Sequence, residues 1–181
     1  MQVISTSKTI FLSSVDSTNE EAKRIIKQIV EPTWIIADKQ TEGKGRHGKV
    51  WYDGKGNFTG SLVFFPTTNP AKFFLYGFFI GVALHDTIKL ISDKPLDLFL
   101  KWPNDIILEG RKLSGILIES QKILNKNRFV LILGVGVNLN TAPKIDKNQS
   151  GYDTICLADG LGYEVDEKVF FHSLKTQIAS L

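Results

Sequence analysis

Runs and alternations of apolar residues divide this chain into short strands with a few helices between them. TIFLSSV (Thr9 to Val15) reads as a strand. Ser17-Thr18-Asn19-Glu20 follows, and a serine with a glutamate three residues on has the form of a capping box. Ala22, Ile25, Ile26 and Ile29 then recur at helical spacing. TWIIADKQ (Thr33 to Gln40) is β-like at its start, a Gly-rich loop runs from Gly43 to Gly60, and SLVFFP (Ser61 to Pro66) is a further strand. Pro70 to Ile91 is a long apolar helix in which Gly77 and Gly81 permit close packing. LDLFLKWPNDIILEGRKLSGILIES (Leu96 to Ser120) reads as two strands and a turn. RFVLILGVGVNLN (Arg128 to Asn140) is a strand with a glycine-bearing end, and Asp166 to Leu181 is a terminal helix. Strands and helices mix without regular βαβ alternation. The pattern predicts an α+β fold, a mixed, largely antiparallel β-sheet packed against helices.

Composition narrows the function classes. The 181 residues, 43% hydrophobic and 23% charged, fit one globular domain with a core of its own, and no linker divides them. A net charge of +3 suits a phosphate-containing ligand and is too small to argue for nucleic acid. An RNA-binding domain would also need an aromatic pattern that is missing here. Cys156 stands alone, which excludes an intramolecular disulfide and a cysteine-based zinc site and suits a reducing cytoplasm. The start, MQVISTSKTIF, lacks the basic and apolar regions of a signal peptide. The most apolar stretch, Phe73 to Leu84, is too short to span a bilayer and is bounded by Lys72 and His85-Asp86.

Candidate chemistry begins in GKGRHGKVW (Gly43 to Trp51). Three glycines and three cations fall between Gly43 and Lys49. Glycines let a backbone approach a ligand closely, and Lys44, Arg46 and Lys49 can neutralise a phosphate. Read alone, this is an anion-binding loop or a solvated basic loop. Gly43-x-Gly45-x-x-Gly48 matches the dinucleotide fingerprint only formally, because a polar run precedes it and no helix follows. The same segment fails as a Walker A loop, since Val50 stands where a hydroxyl should hold Mg²⁺.

KWPNDIILEGRKLSGILIE (Lys101 to Glu119) is more informative. A hairpin turn at Glu109-Gly110 pairs Leu108 with Arg111, Ile107 with Lys112, Ile106 with Leu113 and Asp105 with Ser114. Asp105, Ile107, Lys112 and Ser114 then share one face, with Asp105 and Lys112 as diagonal neighbours. The pair is either an ordinary cross-strand salt bridge or a working pair, a lysine for a phosphate or carboxylate and an aspartate for an incoming amine. Pro103 implies an edge or a break in the first strand.

Asp16-Ser17-Thr18-Asn19, Gln40-Thr41, GKGRHGKVW, Gly56-Asn57 with Ser61, KWPNDI (Lys101 to Ile106), RKLSGILIE (Arg111 to Glu119) and GVGVNLN (Gly134 to Asn140) together resemble the catalytic domain of biotin protein ligases. They follow that family's order and spacing from Phe11 to Asn140, and KWPND followed by KLSGIL is far more specific than the glycines.

The resemblance implies that biotin and ATP form biotinyl-5′-adenylate and that biotin then passes to a lysine of a biotin carboxyl carrier protein. Arg46 and Lys112 would neutralise the carboxylate–phosphate junction with help from Lys49, and Asp105 would steer or deprotonate the carrier lysine. Ser17, Thr18 and Gln40 match positions that hydrogen-bond the ureido head of biotin, with Asn19, Gly43, Lys44 and Gly115 also around biotin. Trp51 would pack over the ligand, Asn104 would lie on the adenine side and Asn138 near the nucleotide. Mg²⁺ is expected with the phosphates, without direct protein ligands.

Lysine at 44 and 49 departs from the arginine frequent in the family; charge is kept and bidentate geometry is lost. His47 falls at a variable position and receives no role. The expected protein is a short form, one catalytic domain without the winged-helix DNA-binding domain and with the C-terminal SH3-like domain absent or truncated. It is expected in the cytoplasm, without DNA or membrane partners, as a monomer or homodimer. The alternatives are a lipoate–protein ligase and a non-catalytic biotin- or nucleotide-binding module; a mere binder would not need Lys112 beside Asp105.

Overall fold

Seven strands form one sheet in the order β1-β2-β3-β7-β6-β5-β4. The computed structural model describes residues 7–123, 128–144 and 153–180. The strands are β1 (Lys8–Leu12), β2 (Thr33–Ala37), β3 (Phe58–Phe64), β4 (Leu98–Lys101), β5 (Asp105–Leu108), β6 (Arg111–Ile123) and β7 (Arg128–Val137). Only β1 and β2 run parallel; all other pairs are antiparallel. The α+β expectation with a mixed, largely antiparallel sheet therefore holds. The segment read for a signal peptide lies mostly in residues 1–6, outside the described residues, as does Leu181.

Alternation within the strands separates two cores. Trp34, Ile36, Leu62, Phe64, Leu131, Leu133, Val135 and Val137 face one side of the sheet. There they meet α2 (Phe74–Ile91) and α4 (Glu167–Ser180). Ile35, Val63, Val130 and Ile132 face the other side and meet Ala22 and Ile26 of α1 (Thr18–Ile25) and the turn after it. A short α3 (Leu157–Leu161), which periodicity did not reveal, adds Leu157 and Leu161 to the larger core.

The apolar helix seen in the sequence is α2, entered through a 3-10 turn at Pro70–Lys72 that Asn69 caps by accepting from Ala71 N. Pro70–Ile91 is long and apolar enough to cross a membrane by length and composition, more than the Phe73 to Leu84 run implied. In the fold it is a core helix: Ile80, Leu84 and Ile88 are buried against the sheet, each worth roughly 1.5–3 kcal/mol. Its two glycines let it lie close. A Cβ at Gly77 would stand 2.4 Å from Ile118 Cδ1, and one at Gly81 would stand 3.2 Å from Leu100 Cδ2.

Two expectations about local structure are corrected. Leu96 to Ser120 contains three strands, because the chain turns at Trp102-Pro103-Asn104 and β4 pairs back onto β5 as the sheet edge. Strand β3 begins at Phe58, inside the span read as loop, since Phe58, Thr59 and Gly60 continue its pairing with β7.

Candidate active site

The face of the sheet that carries α1 also carries a cavity of ≈ 490 Å³. Its wall exists because β6 and β7 present glycines there: Gly115 pairs with Gly136, and Leu117 with Gly134. The indole of Trp51 occupies the space those glycines leave. A Cβ at Gly136 would lie 2.3 Å from Trp51 Cε2, and one at Gly115 would lie 3.2 Å from Trp51 Cζ3. Trp51 Nε1 is buried without a hydrogen-bond partner. A buried donor of this kind is costly unless a ligand accepts from it.

The inner end is a chain of neutral hydrogen bonds. Gln40 Oε1 accepts from Thr18 N at 2.8 Å and lies 3.0 Å from Thr18 Oγ1. Ser61 Oγ lies 2.7 Å from Thr18 Oγ1 and 2.5 Å from Asn19 Oδ1. Ser17, Thr18, Asn19 and Ser61 are all buried. Behind them Asp53 Oδ2 accepts from Gln40 N at 2.7 Å. Burial pushes the Asp53 carboxyl above its usual range, opposed by the bonds from Gln40 N and Thr59. Glu167, at the start of α4, is pushed up to about 7 by burial and by Asp38, Asp53 and Asp166.

The capping box expected at Ser17 does not form. Ser17 is the N-cap of α1, yet its side chain makes no cap bond, and its N–H donates to Asp16 Oδ1. Glu20 cannot reach back because Lys23 and Lys44 each hold Oε1 at 2.8 Å. Those bonds keep the Glu20 carboxyl below its ordinary value.

The outer end is cationic. Loop residues 43–51 form a closed hairpin, with Trp51 N donating to Gly43 O, Gly45 N to Lys49 O, and a 3-10 turn at Arg46–Gly48. That turn is no helix, in keeping with the rejection of both phosphate-loop motifs. Arg46 NH1 donates to Asn104 Oδ1 at 3.1 Å across the cavity, and Asn104 Nδ2 donates to Ile116 O. His47 and Lys49 also line the opening.

Lys112 Nζ stands 2.8 Å from Asp105 Oδ1, both partly buried. The expected adjacency is present, but its register is corrected. Leu108 pairs with Arg111 and Ile107 with Lys112 as predicted; a bulge then sets Ile106 opposite Ser114 and Asp105 opposite Gly115. The residue passed over is Leu113, whose carbonyl accepts from Asn138 N at 3.0 Å, while Lys112 on its outer side donates to Asp153 O and accepts from Ile155 N. Ser114 is buried, donating to Gly136 O, and does not stand beside Asp105. The turn itself is as read, with Glu109 at φ 51° and Gly110 at φ 72°.

The fold brings Ser17, Thr18, Asn19, Gln40, Lys44, Arg46, Lys49, Trp51, Asn104, Asp105, Lys112, Gly115 and Asn138 to this one cavity. Gly43 is the exception among the expected residues. It sits behind the wall, where a Cβ would lie 2.4 Å from Trp51 O and 3.2 Å from Gln40 Nε2. Lys44 borders the cavity, but its ammonium is turned to Glu20. Asn138 is 1% exposed and donates to Ile155 O, and its Oδ1 has no partner. The sequence reading gave no role to Ser61, Lys101 or Gly136. The alternation of Gly134 and Gly136 along β7 was the available signal for a ring packed on that face.

Among the described residues lining the cavity Asp105 is the one acid, and it is engaged by Lys112. Among the described residues no three His, Cys, Asp or Glu side chains group as metal ligands. Among those residues there is thus no protein cage for Mg²⁺.

Comparison with known proteins agrees with this geometry. Residues 11–138 match the model of the biotin/lipoate A/B protein ligase family. The biotin–[acetyl-CoA-carboxylase] ligase of Paracoccus denitrificans is 34% identical over 169 residues, covering 93% of this chain and 70% of that protein. The bifunctional ligase/repressor BirA of Bacillus subtilis is 33% identical over 156 residues, 86% of this chain and 46% of that protein. The chain thus spans about half of the longer repressor-type relative. Among solved structures, the Aquifex aeolicus biotin protein ligase in complex with biotin and ATP superposes with a TM-score of 0.76 at 29% identity, covering 96% of this chain and 69% of that one. The family match spans most of the chain, and all but one of the motif residues expected at the site converge on the cavity: the chain belongs to the biotin/lipoate A/B protein ligase family.

Proposed function

We propose that this chain activates biotin with ATP and transfers it to a lysine of a carrier protein. One observation carries the reading: a lysine–aspartate pair stands where a neutral, buried, hydrogen-bonded end of the cavity meets a cationic mouth. A ligand with a polar head, an apolar body and a carboxylate tail fits that sequence of environments. The ureido head of biotin takes the bonds offered by Ser17, Thr18 and Gln40, because a polar head in a closed pocket is costly unless paired. Trp51 covers the ligand.

In the first step a biotin carboxylate oxygen attacks the α-phosphorus of ATP, the bond to the bridging oxygen breaks and pyrophosphate leaves. Two anions must meet, so cations must neutralise the charge that accumulates. Lys112 and Arg46 do this at the junction, and Lys49 assists at the open rim. Adenine lies toward Asn104 and Asn138. The unpaired Asn138 Oδ1 suits the exocyclic amine of adenine. In the second step the carrier lysine amine attacks the acyl carbon, AMP leaves with the bonding pair, and the proton lost by the amine passes to Asp105. The partner is a biotin carboxyl carrier protein, and the reaction takes place in the cytoplasm.

Incubation with ATP, Mg²⁺ and either biotin or lipoate, followed by mass spectrometry, tests the reading. Biotinyl-adenylate is the expected product. Lipoyl-adenylate as the dominant product overturns the substrate assignment, and no adenylate with either acid overturns the activity.

A further inference from the structure

Glu119 ends the RKLSGILIE segment on β6, away from the Lys112–Asp105 pair, and the mechanism above does not use it. Its two oxygens are both engaged: Oε1 accepts from Lys23 Nζ at 2.8 Å and Oε2 accepts from Asn19 Nδ2 at 2.8 Å. A carboxylate only accepts hydrogen bonds, so the Asn19 amide must turn its NH₂ toward Glu119 and its oxygen the other way. That oxygen meets Ser61 Oγ at 2.5 Å, and Ser61 in turn stands 2.7 Å from Thr18 Oγ1. Gly134 makes room for this orientation, since a Cβ there would lie 2.5 Å from Asn19 Oδ1. Asn19, Ser61 and Thr18 are at most 3% exposed, so water does not take over if a bond is lost. Ser61 has one hydroxyl hydrogen: given to the Asn19 oxygen, it leaves Ser61 to accept from Thr18 Oγ1. Were the Asn19 amide turned over, its NH₂ would point at Ser61, whose hydrogen would pass to Thr18 Oγ1 and that of Thr18 to Gln40 Oε1.

We propose that Glu119 is a positioning residue that sets the donor–acceptor polarity of the pocket wall and thereby its selectivity for the ureido group. The inference rests on the reading of this cavity as the biotin site. A wall built to match a substrate's hydrogen bonds rejects a mismatched analogue because its own buried groups are left unpaired.

The test compares biotin with 2-iminobiotin by titration calorimetry. The analogue keeps the ring and the acid chain and replaces the ureido carbonyl, an acceptor, by a protonated imine, a donor. Glu119→Ala is expected to weaken biotin by about tenfold or more and the analogue little, so that the selectivity ratio shrinks by about tenfold. Glu119→Met keeps the side-chain length without an acceptor oxygen and gives the same reading should the alanine variant fail to fold. Glu119→Gln, which retains one acceptor for Asn19, keeps the ratio within about threefold of wild type. So does Lys23→Met, which removes the ion pair and leaves the carboxylate. An equal loss of both ligands in the alanine and methionine variants, or a collapsed ratio in Lys23→Met, overturns the proposal in favour of a structural ion pair. Wild-type protein that does not bind biotin overturns the reading of the site instead.

Discussion

The inner end of the cavity is neutral, buried and internally bonded, whereas its mouth is cationic and open. Thr18, Gln40, Ser61 and Asn19 are held against one another before any ligand arrives. Arg46, His47 and Lys49 are exposed on a glycine hairpin. Under the proposed function the difference follows from the part of the ligand each end would hold. A ureido group is recognised by the direction of hydrogen bonds, which requires acceptors and donors fixed in advance. Phosphates and carboxylates are recognised by charge, which tolerates adjustable side chains and gains from their strong pairing with anions. Lys112 and Asp105 stand at the seam, on a hairpin rather than a loop, where both charge and position matter.

The seam should give the largest effect. Lys112→Ala is expected to slow adenylate formation by roughly two to three orders of magnitude, as loss of one electrostatic stabiliser does. Asp105→Asn should leave that step nearly intact and slow transfer. Pyrophosphate exchange reports the first step, and single-turnover biotinylation from preformed adenylate reports the second. If both variants damage both steps equally, the pair is a structural salt bridge.

At the inner end, Gln40→Leu removes the acceptor for Thr18 N. A buried unsatisfied donor costs about 1–3 kcal/mol, so biotin affinity should fall roughly ten- to a hundredfold. ATP affinity measured alone should not change. A comparable loss for ATP would show that the two ends are one unit.

Behind that end lies an acidic layer, and Glu167 tests it through pH. Its folded value of about 7 lies above the ordinary 4.5, so the folded protein holds this proton longer than the unfolded chain. The stability this contributes is fully present below about 4.5 and is lost as pH rises through about 7. Glu167→Gln should therefore match wild type near pH 4.5 and be more stable near pH 8, by about 1 kcal/mol once solvent screening of this half-exposed group is allowed for. Thermal midpoints across that range check it; an equal shift at both pH values would exclude a titration origin.

The smallest effect is expected at the mouth. Lys44 is half exposed and bound to Glu20, and such a surface pair is worth about 0–1 kcal/mol. Lys44→Met should change biotin and ATP affinity by about threefold at most. A loss as large as that of Lys112→Ala would move Lys44 into the reacting centre.

Local chemistry was legible in the amino-acid order. The Glu109-Gly110 turn, the long apolar helix, the basic glycine loop and the strand-like runs each depend on residues close together in the chain, where propensity and periodicity act. The expected site residues were likewise legible as a resemblance, and the cavity gathers all of them but Gly43. What only the tertiary structure decided involves partners far apart in sequence. The Glu20 carboxylate expected in a capping box at Ser17 is held instead by its neighbour Lys23 and by Lys44, twenty-four residues beyond it. The hairpin register slips at Leu113, whose carbonyl is taken by Asn138 N from beyond β7. Gly136 became the seat of Trp51, and Glu119 the partner of Asn19 a hundred residues away. A hydrogen bond or a missing Cβ has no sequence period of its own when its partner comes from another strand; its consequence is set only when the sheet brings the two together.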